Sequence, residues 1–184
     1  MSKLELRMYG LVPYNISPIQ QGIQFGHAVV EYGQEFKNKS LYNEWADDHK
    51  TFIILNGGTT NNRVNENGLP FGTLNNHLIE LEENGIEVST FSEPDLGDQL
   101  TSVVFIVDER VFNKKKYPDF KDWLVSNYID YLSLKKSDDI NEISNSIKNS
   151  DYSQDQKVYK EWLSLIGGEK NAFLKEFLSN FRLA

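Results

Sequence analysis

The run Leu4-Glu5-Leu6-Arg7-Met8-Tyr9-Gly10-Leu11-Val12 alternates apolar and polar side chains and then turns apolar, as a strand does on entering a core. Pro13, Asn15, Ser17 and Pro18 break it. Ser17 predicts an N-cap and Pro18 the first helical position, where a missing N–H costs nothing. A helix follows from about Ile19 to Phe36, with Ile19, Ile23, Val30 and the surroundings of Ala28 predicting its buried face. Leu41–Ala46 reads as a short second helix, and the continuous run Thr51–Leu55 as a strand buried on both faces. Gly57-Gly58 ends that strand, and Asn61–Pro70 is a polar loop. Thr73 caps a third helix that Asn84-Gly85 stops after Glu83. Ile86–Phe91 alternates as a strand, Ser92–Gln99 forms a loop, and Leu100–Val107 is the last strong strand.

This order predicts an α/β fold with a four-stranded mixed β-sheet flanked by helices, strands joined through helices running parallel with right-handed crossovers. The last two strands are close enough for an antiparallel hairpin, whose eight-residue loop is longer than a hairpin needs and is a candidate functional loop. Beyond Phe112 the pattern is helical. Phe120–Leu134 is amphipathic, Lys135–Gln154 is polar, and Val158–Ile166 and Ala172–Phe181 are helices parted by Gly167-Gly168. Residues 1–112 therefore read as the α/β domain and 113–184 as a C-terminal helical extension. No internal repeat appears.

Composition narrows the function classes. A chain of 184 residues with 39% hydrophobic and 12% aromatic residues can bury a core. Cysteine is absent, which removes disulfides, thiolate nucleophiles and thiolate metal sites. Charges interrupt the first apolar run, so it is no signal peptide, and no apolar run spans a bilayer. A cytoplasmic protein without a membrane partner is the expectation. Residues 1–112 hold 7 Lys and Arg against 16 Asp and Glu, a net of −9, whereas residues 113–184 hold 12 against 11, a net of +1. Nucleic-acid affinity comes largely from Lys and Arg neutralising phosphates, so the acidic part opposes it. Lys114-Lys115-Lys116 reads as a solvated charge run.

Several chemistries drop out on spacing. Gly57-Gly58-Thr59-Thr60 lacks the lysine of a phosphate loop, and no Gly-x-Ser-x-Gly elbow occurs. His27, His49 and His77 have no metal-ligand spacing, and no cofactor is implied; His49 and His77 read as surface histidines. Two segments remain. His27 sits among Gly22, Gly26 and Ala28, which predicts close backbone and a partly dry setting; a tightly packed helix with one satisfied histidine fits equally. The loop Ser92-Glu93-Pro94-Asp95-Leu96-Gly97-Asp98-Gln99 brings three carboxylates to the sheet mouth, ahead of Thr101 and Ser102. A carboxylate beside an imidazole can fix its tautomer and orient water for attack on an ester, while acidic loops are also ordinary turns.

A strand, then Gly-x-x-x-x-His-Ala in the first helix, then a Trp-containing helix before a buried strand, resembles the archaeal and eukaryotic type of peptidyl-tRNA hydrolase, most closely its small, phage-type or otherwise uncharacterised relatives. Glu93-Pro94-Asp95-Leu96-Gly97 and Leu100-Thr101-Ser102-Val103 resemble that family's Asp-containing loop and closing strand, and the likeness covers roughly residues 4–110. It implies hydrolysis of the ester joining a peptide to tRNA, with His27, Asp95 and Thr101 as catalytic residues. Gln20, Gln21, Gly22, Glu93 and Ser102 would lie against substrate. In the turn opening the helix the family carries lysines, where this chain has Pro18-Ile19-Gln20-Gln21-Gly22. That absence and the acidic balance oppose tRNA. The alternative is a non-catalytic binding protein on the same scaffold, phage-encoded and host-directed, engaging a protein partner through 113–184.

Overall fold

The computed structural model describes residues 3–135, 137 and 139–184; Lys136 and Asp138, within the polar stretch noted above, lie outside them. The chain divides into two compact units, Met1–Glu109 with Phe177–Ala184, and Arg110–Glu176.

In the first unit, β1 (Leu6–Val12) leads into α1 (Pro18–Phe36), then α2 (Ser40–Glu44) and a single π turn, Trp45–His49. After β2 (Thr51–Asn56) come α3 (Thr73–Glu83), β3 (Val88–Glu93) and β4 (Gln99–Asp108). The sheet order is β2-β1-β4-β3, with β2 parallel to β1 and β4 antiparallel to both its neighbours. The mixed four-stranded sheet and its helical C-terminal part are those the hydrophobic pattern predicts. The last hairpin is tighter than expected, because β3 continues to Glu93 and a 3-10 turn, Pro94–Leu96, does most of the reversal.

Two faces differ from expectation. Ser17 does cap α1, accepting from the Gln20 N–H, and the Gln20 side chain completes a capping box. The buried stripe of α1 is Gln24, Phe25, Ala28, Tyr32 and Phe36, whereas Ile19, Ile23 and Val30 are 77%, 50% and 58% exposed. The sheet selects this face. A Cβ on Gly10 would stand 2.3 Å from the Phe25 ring, so the glycine in β1 makes the room into which Phe25 packs. Phe25 joins Leu6, Met8, Val12, Tyr32, Phe36, Trp45, Val104 and Ile106 in one core. Nor is β2 buried on both faces. It is an edge strand with Phe52 exposed, and residues Arg182–Ala184 run along part of that edge: the Asn56 N–H donates to Arg182 O at 2.9 Å, and the Ala184 N–H to Ile54 O at 3.0 Å.

The second unit has a separate core. Its elements are α4 (Glu109–Phe112, beginning one residue before the boundary), α5 (Phe120–Asn127), α6 (Ile129–Leu132), α7 (Ile140–Lys148), α8 (Ser153–Ile166) and α9 (Glu169–Leu178, ending past it). The expected helix Phe120–Leu134 is broken at Tyr128, and the polar stretch holds α7, whose Ile143 and Ile147 are buried with Phe120, Leu124, Val158, Trp162 and Ile166. Gly167 ends α8 at φ +89°, its N–H bonded to Leu163 O at 2.9 Å. Lys175 is buried and satisfied, donating to Tyr117 O at 2.7 Å and Val111 O at 3.2 Å, with Asp119 Oδ1 at 3.4 Å. Burial pushes its pKa down, against the pull of Asp119. Among the described residues no helix is long and apolar enough to cross a membrane.

Candidate functional site

A β-bulge builds the polar centre of the first unit. Phe91 pairs with Ser102 but Ser92 with Leu100, so Thr101 is the extra residue on β4. The bulge aims the Thr101 hydroxyl at α1, where it donates to Gln24 Oε1 at 2.8 Å, with the Phe91 carbonyl a second acceptor at 3.1 Å. With its oxygen so engaged, the Gln24 amide turns its Nε2 to Glu93, donating to Oε2. The other Glu93 oxygen accepts the Asp95 N–H at 3.4 Å. Thr101 and Gln24 are buried, Glu93 is half-buried, and together they tie the first helix to the β3–β4 turn.

His27 lies one turn along α1 from Gln24. Its ring stacks on Phe91 at 4.5 Å between centroids and 20° between planes. The expectation of a dry, closely approached imidazole is not met. His27 is exposed, and a Cβ on Gly22 or Gly26 would meet nothing within 4 Å. An exposed imidazole on an aromatic shelf has its rotation restricted and its nitrogens open to solvent. Asp95 is also exposed, in the 3-10 turn, with its backbone N–H on Glu93.

The remaining predicted residues divide sharply. Gln20 Oε1 is occupied by the Ser17 N–H at 3.0 Å and hydroxyl at 2.9 Å, so this side chain caps its own helix. Gln21 Nε2 donates to Pro13 O at 3.1 Å, holding the loop ahead of α1. Gly22 is exposed and open. Ser102 is wholly buried with an unpaired hydroxyl, and Thr101 is wholly buried with its proton committed, so neither surface is offered to a ligand. The arrangement thus joins His27, Phe91, Glu93, Gln24 and Thr101 through stacking and hydrogen bonds. Phe91 was read only as a strand residue, and Gln24 is a member that sequence reasoning missed altogether. Its signal was a polar residue on the stripe of Phe25, Ala28, Tyr32 and Phe36, a position where a partner is obligatory.

The other histidines are not plain surface residues. His77 packs its ring 5.8 Å from Phe177 and 4.8 Å from Phe181, and burial lowers its pKa below the usual 6.5. His49 is half-buried with an unpaired Nε2. Among the described residues no group of three or more His, Asp or Glu side chains converges on a metal position.

Chemically, the cluster offers one accessible imidazole and one carboxylate of fixed orientation at the end of the sheet where β1 and β2 terminate. It offers no cationic side chain within Pro18–Gly22 or Glu93–Gln99. No protein-family model and no curated protein sequence matches this chain.

Proposed function

We propose that the chain is a peptidyl-tRNA hydrolase-like esterase, acting on the ester of peptidyl-tRNA or a related acyl bond. The observation that carries this reading is the setting of His27. Its exposed imidazole stacks on Phe91, two residues before Glu93, which Gln24 of the same helix holds in orientation. The four-stranded mixed sheet agrees with the resemblance of residues 4–110. A water oriented by the imidazole and an acidic side chain adds to the acyl carbon and gives its proton to His27. Collapse of the tetrahedral intermediate then expels the alcohol oxygen, which takes that proton back. Asp95 is the family-type carboxylate of the turn; Glu93 is the one with a fixed partner. Thr101 acts through Gln24 rather than on the oxyanion, because its hydroxyl is buried and engaged. Such an activity belongs in the cytoplasm, where charged tRNA is found.

Release of peptide from diacetyl-lysyl-tRNA tests this, comparing wild type with His27→Ala, Asp95→Asn and Glu93→Gln. Turnover by the wild type and a loss of about a hundredfold or more in His27→Ala are expected. Equal rates for all four proteins, or none above buffer, sink the enzyme reading.

A second reading, a non-catalytic binding protein on this scaffold, is favoured by the burial of Thr101 and by the lack of lysine in Pro18–Gly22. In that case a captured partner cross-links to residues 113–176; cross-links confined to other residues count against a role for the helical unit.

A further inference from the structure

Three loops meet at the end of the sheet that carries His27 and Glu93, and hydrogen bonds knit them together. The Tyr14 N–H donates to Gly58 O at 2.8 Å. Asn15 clasps the Thr60 backbone from both sides, at 3.0 Å to its N–H and 3.1 Å to its carbonyl. Asn62 Nδ2 reaches across to Gly97 O at 2.9 Å, joining the loop after β2 to the β3–β4 turn. That loop, expected to be merely polar, is a small ordered hairpin. Val64 bridges Pro70, the Phe71 N–H donates to Arg63 O at 2.7 Å, and the Asn65 side chain accepts from the N–H groups of Asn67 and Leu69.

The hairpin holds apolar side chains out in solvent. Val64, Leu69 and Phe71 are 55%, 47% and 59% exposed, and Tyr14, on the adjoining loop, is exposed as well. Apolar groups fixed outward on a hydrogen-bonded backbone lose little conformational freedom on being covered, and such patches mark binding surfaces. The charge around them is predominantly acidic. Across residues 13–22, 57–72 and 93–99 a single basic residue, Arg63, stands against Glu66, Glu93, Asp95 and Asp98. A polyanion brought here meets four carboxylates, whereas a segment bearing ammonium or guanidinium groups is drawn in.

We propose that this end of the sheet binds an extended peptide segment in which lysine or arginine alternates with aliphatic side chains. The aliphatic residues cover Val64, Leu69 and Phe71 while the cations face Glu66, Asp95 and Asp98. This deepens the preceding reading, since it rests on the same end of the sheet being functional and selects a cationic peptidyl group, not RNA, as what the surface recognises.

Fluorescence anisotropy decides it, with the full chain and three labelled probes: a Lys-Val repeat peptide, whose two side-chain types fall on opposite faces of an extended strand, its Glu-Val counterpart and deacylated tRNA. The lysine peptide is expected to bind, and to weaken as salt screens the carboxylates. Phe71→Ser is expected to weaken it by about tenfold, and Glu66→Gln with Asp98→Asn by roughly fivefold. Asparagine is chosen at 98 because the backbone there has φ +57°, which asparagine tolerates. Thermal melts matching wild type establish that the variants fold; where one fails to, the salt titration and the probe ranking still decide. Equal binding of the glutamate peptide, tighter binding of tRNA, or binding of none of the probes overturns the proposal. Peptide binding without ester hydrolysis would defeat the hydrolase and leave this inference standing, and hydrolysis without peptide binding would do the reverse.

Discussion

Thr101 has one hydroxyl proton and two acceptors in reach, and the side chain it engages decides where Gln24 points. Replacing it with valine keeps the shape and removes the donor, leaving Gln24 Oε1 buried without a partner. An abandoned buried acceptor costs about 1–3 kcal/mol. Thr101→Ser keeps the donor and loses one methyl, a deficit of about 1 kcal/mol. Urea unfolding with unchanged slope reads the difference in the midpoint. A valine variant as stable as wild type beside a weakened serine variant would mean that methyl packing, not the hydrogen bond, keeps threonine here. The pair also separates positioning from catalysis. If Thr101 serves only to aim Gln24 at Glu93, the serine variant retains any hydrolysis and the valine variant loses it in proportion to Glu93→Gln.

Elements were legible from the sequence wherever one pattern dominated, and their faces were not. Ser17 and Pro18 announce the start of α1, and Thr73 with Asn84-Gly85 brackets α3, because caps and breakers act locally. Helix α1 carries two apolar stripes, one through Ile19, Ile23 and Val30 and one through Phe25, Ala28, Tyr32 and Phe36. Periodicity alone cannot rank them; the space above Gly10 does, and that space belongs to the sheet. The same reversal hid Gln24, and with it the network on Glu93. Strand β2 misled for a related reason, since a continuous apolar run says nothing of what will lie beside it. Part of its edge, Ile54–Asn56, is covered by Arg182–Ala184, and an uncovered edge is a template for pairing. Deleting 182–184 removes the acceptor of the Asn56 N–H, so exchange of that amide is expected to speed up by about tenfold or more while amides of β1 keep their protection. Unaltered exchange at Asn56 would show that the segment does not guard the edge. The packing of His77 on Phe177 and Phe181 is expected to make the first unit sense pH. Burial against Phe177 and Phe181 lowers the His77 pKa, and Glu80 Oε2 at 4.0 Å is too distant for a hydrogen bond. A depressed histidine contributes stability that is complete above the unfolded value of 6.5 and declines as pH falls from there through the folded value. The urea midpoint should therefore be lower at about pH 5 than at about pH 7.5, with that step reduced in His77→Gln. An undiminished step in the variant would assign the pH dependence to other groups.

At the scale of the molecule, two cores imply two sets of stabilising contacts. Phe25, Tyr32 and Trp45 belong to the first, and Phe120, Ile147 and Trp162 to the second. A cavity at Ile147 removes packing among α5, α7 and α8, and truncations of this kind cost about 2–5 kcal/mol. The tryptophans are placed to report where that loss is felt. Trp45 lies in the first unit, Trp123 and Trp162 in the second. In a Trp45→Phe background the remaining two follow the helical unit; in a Trp123→Phe, Trp162→Phe background Trp45 follows the sheet. Introducing Ile147→Ala into each is expected to lower the urea midpoint reported by the helical pair. The midpoint reported by Trp45 should move less than half as far, because Trp45 and Ile147 belong to different cores. Such a split means that a single unfolding free energy does not describe the chain. Equal displacement in both backgrounds would instead make the two cores one cooperative structure, and a lesion in the helical unit would then weaken the site around His27 as surely as one beside it.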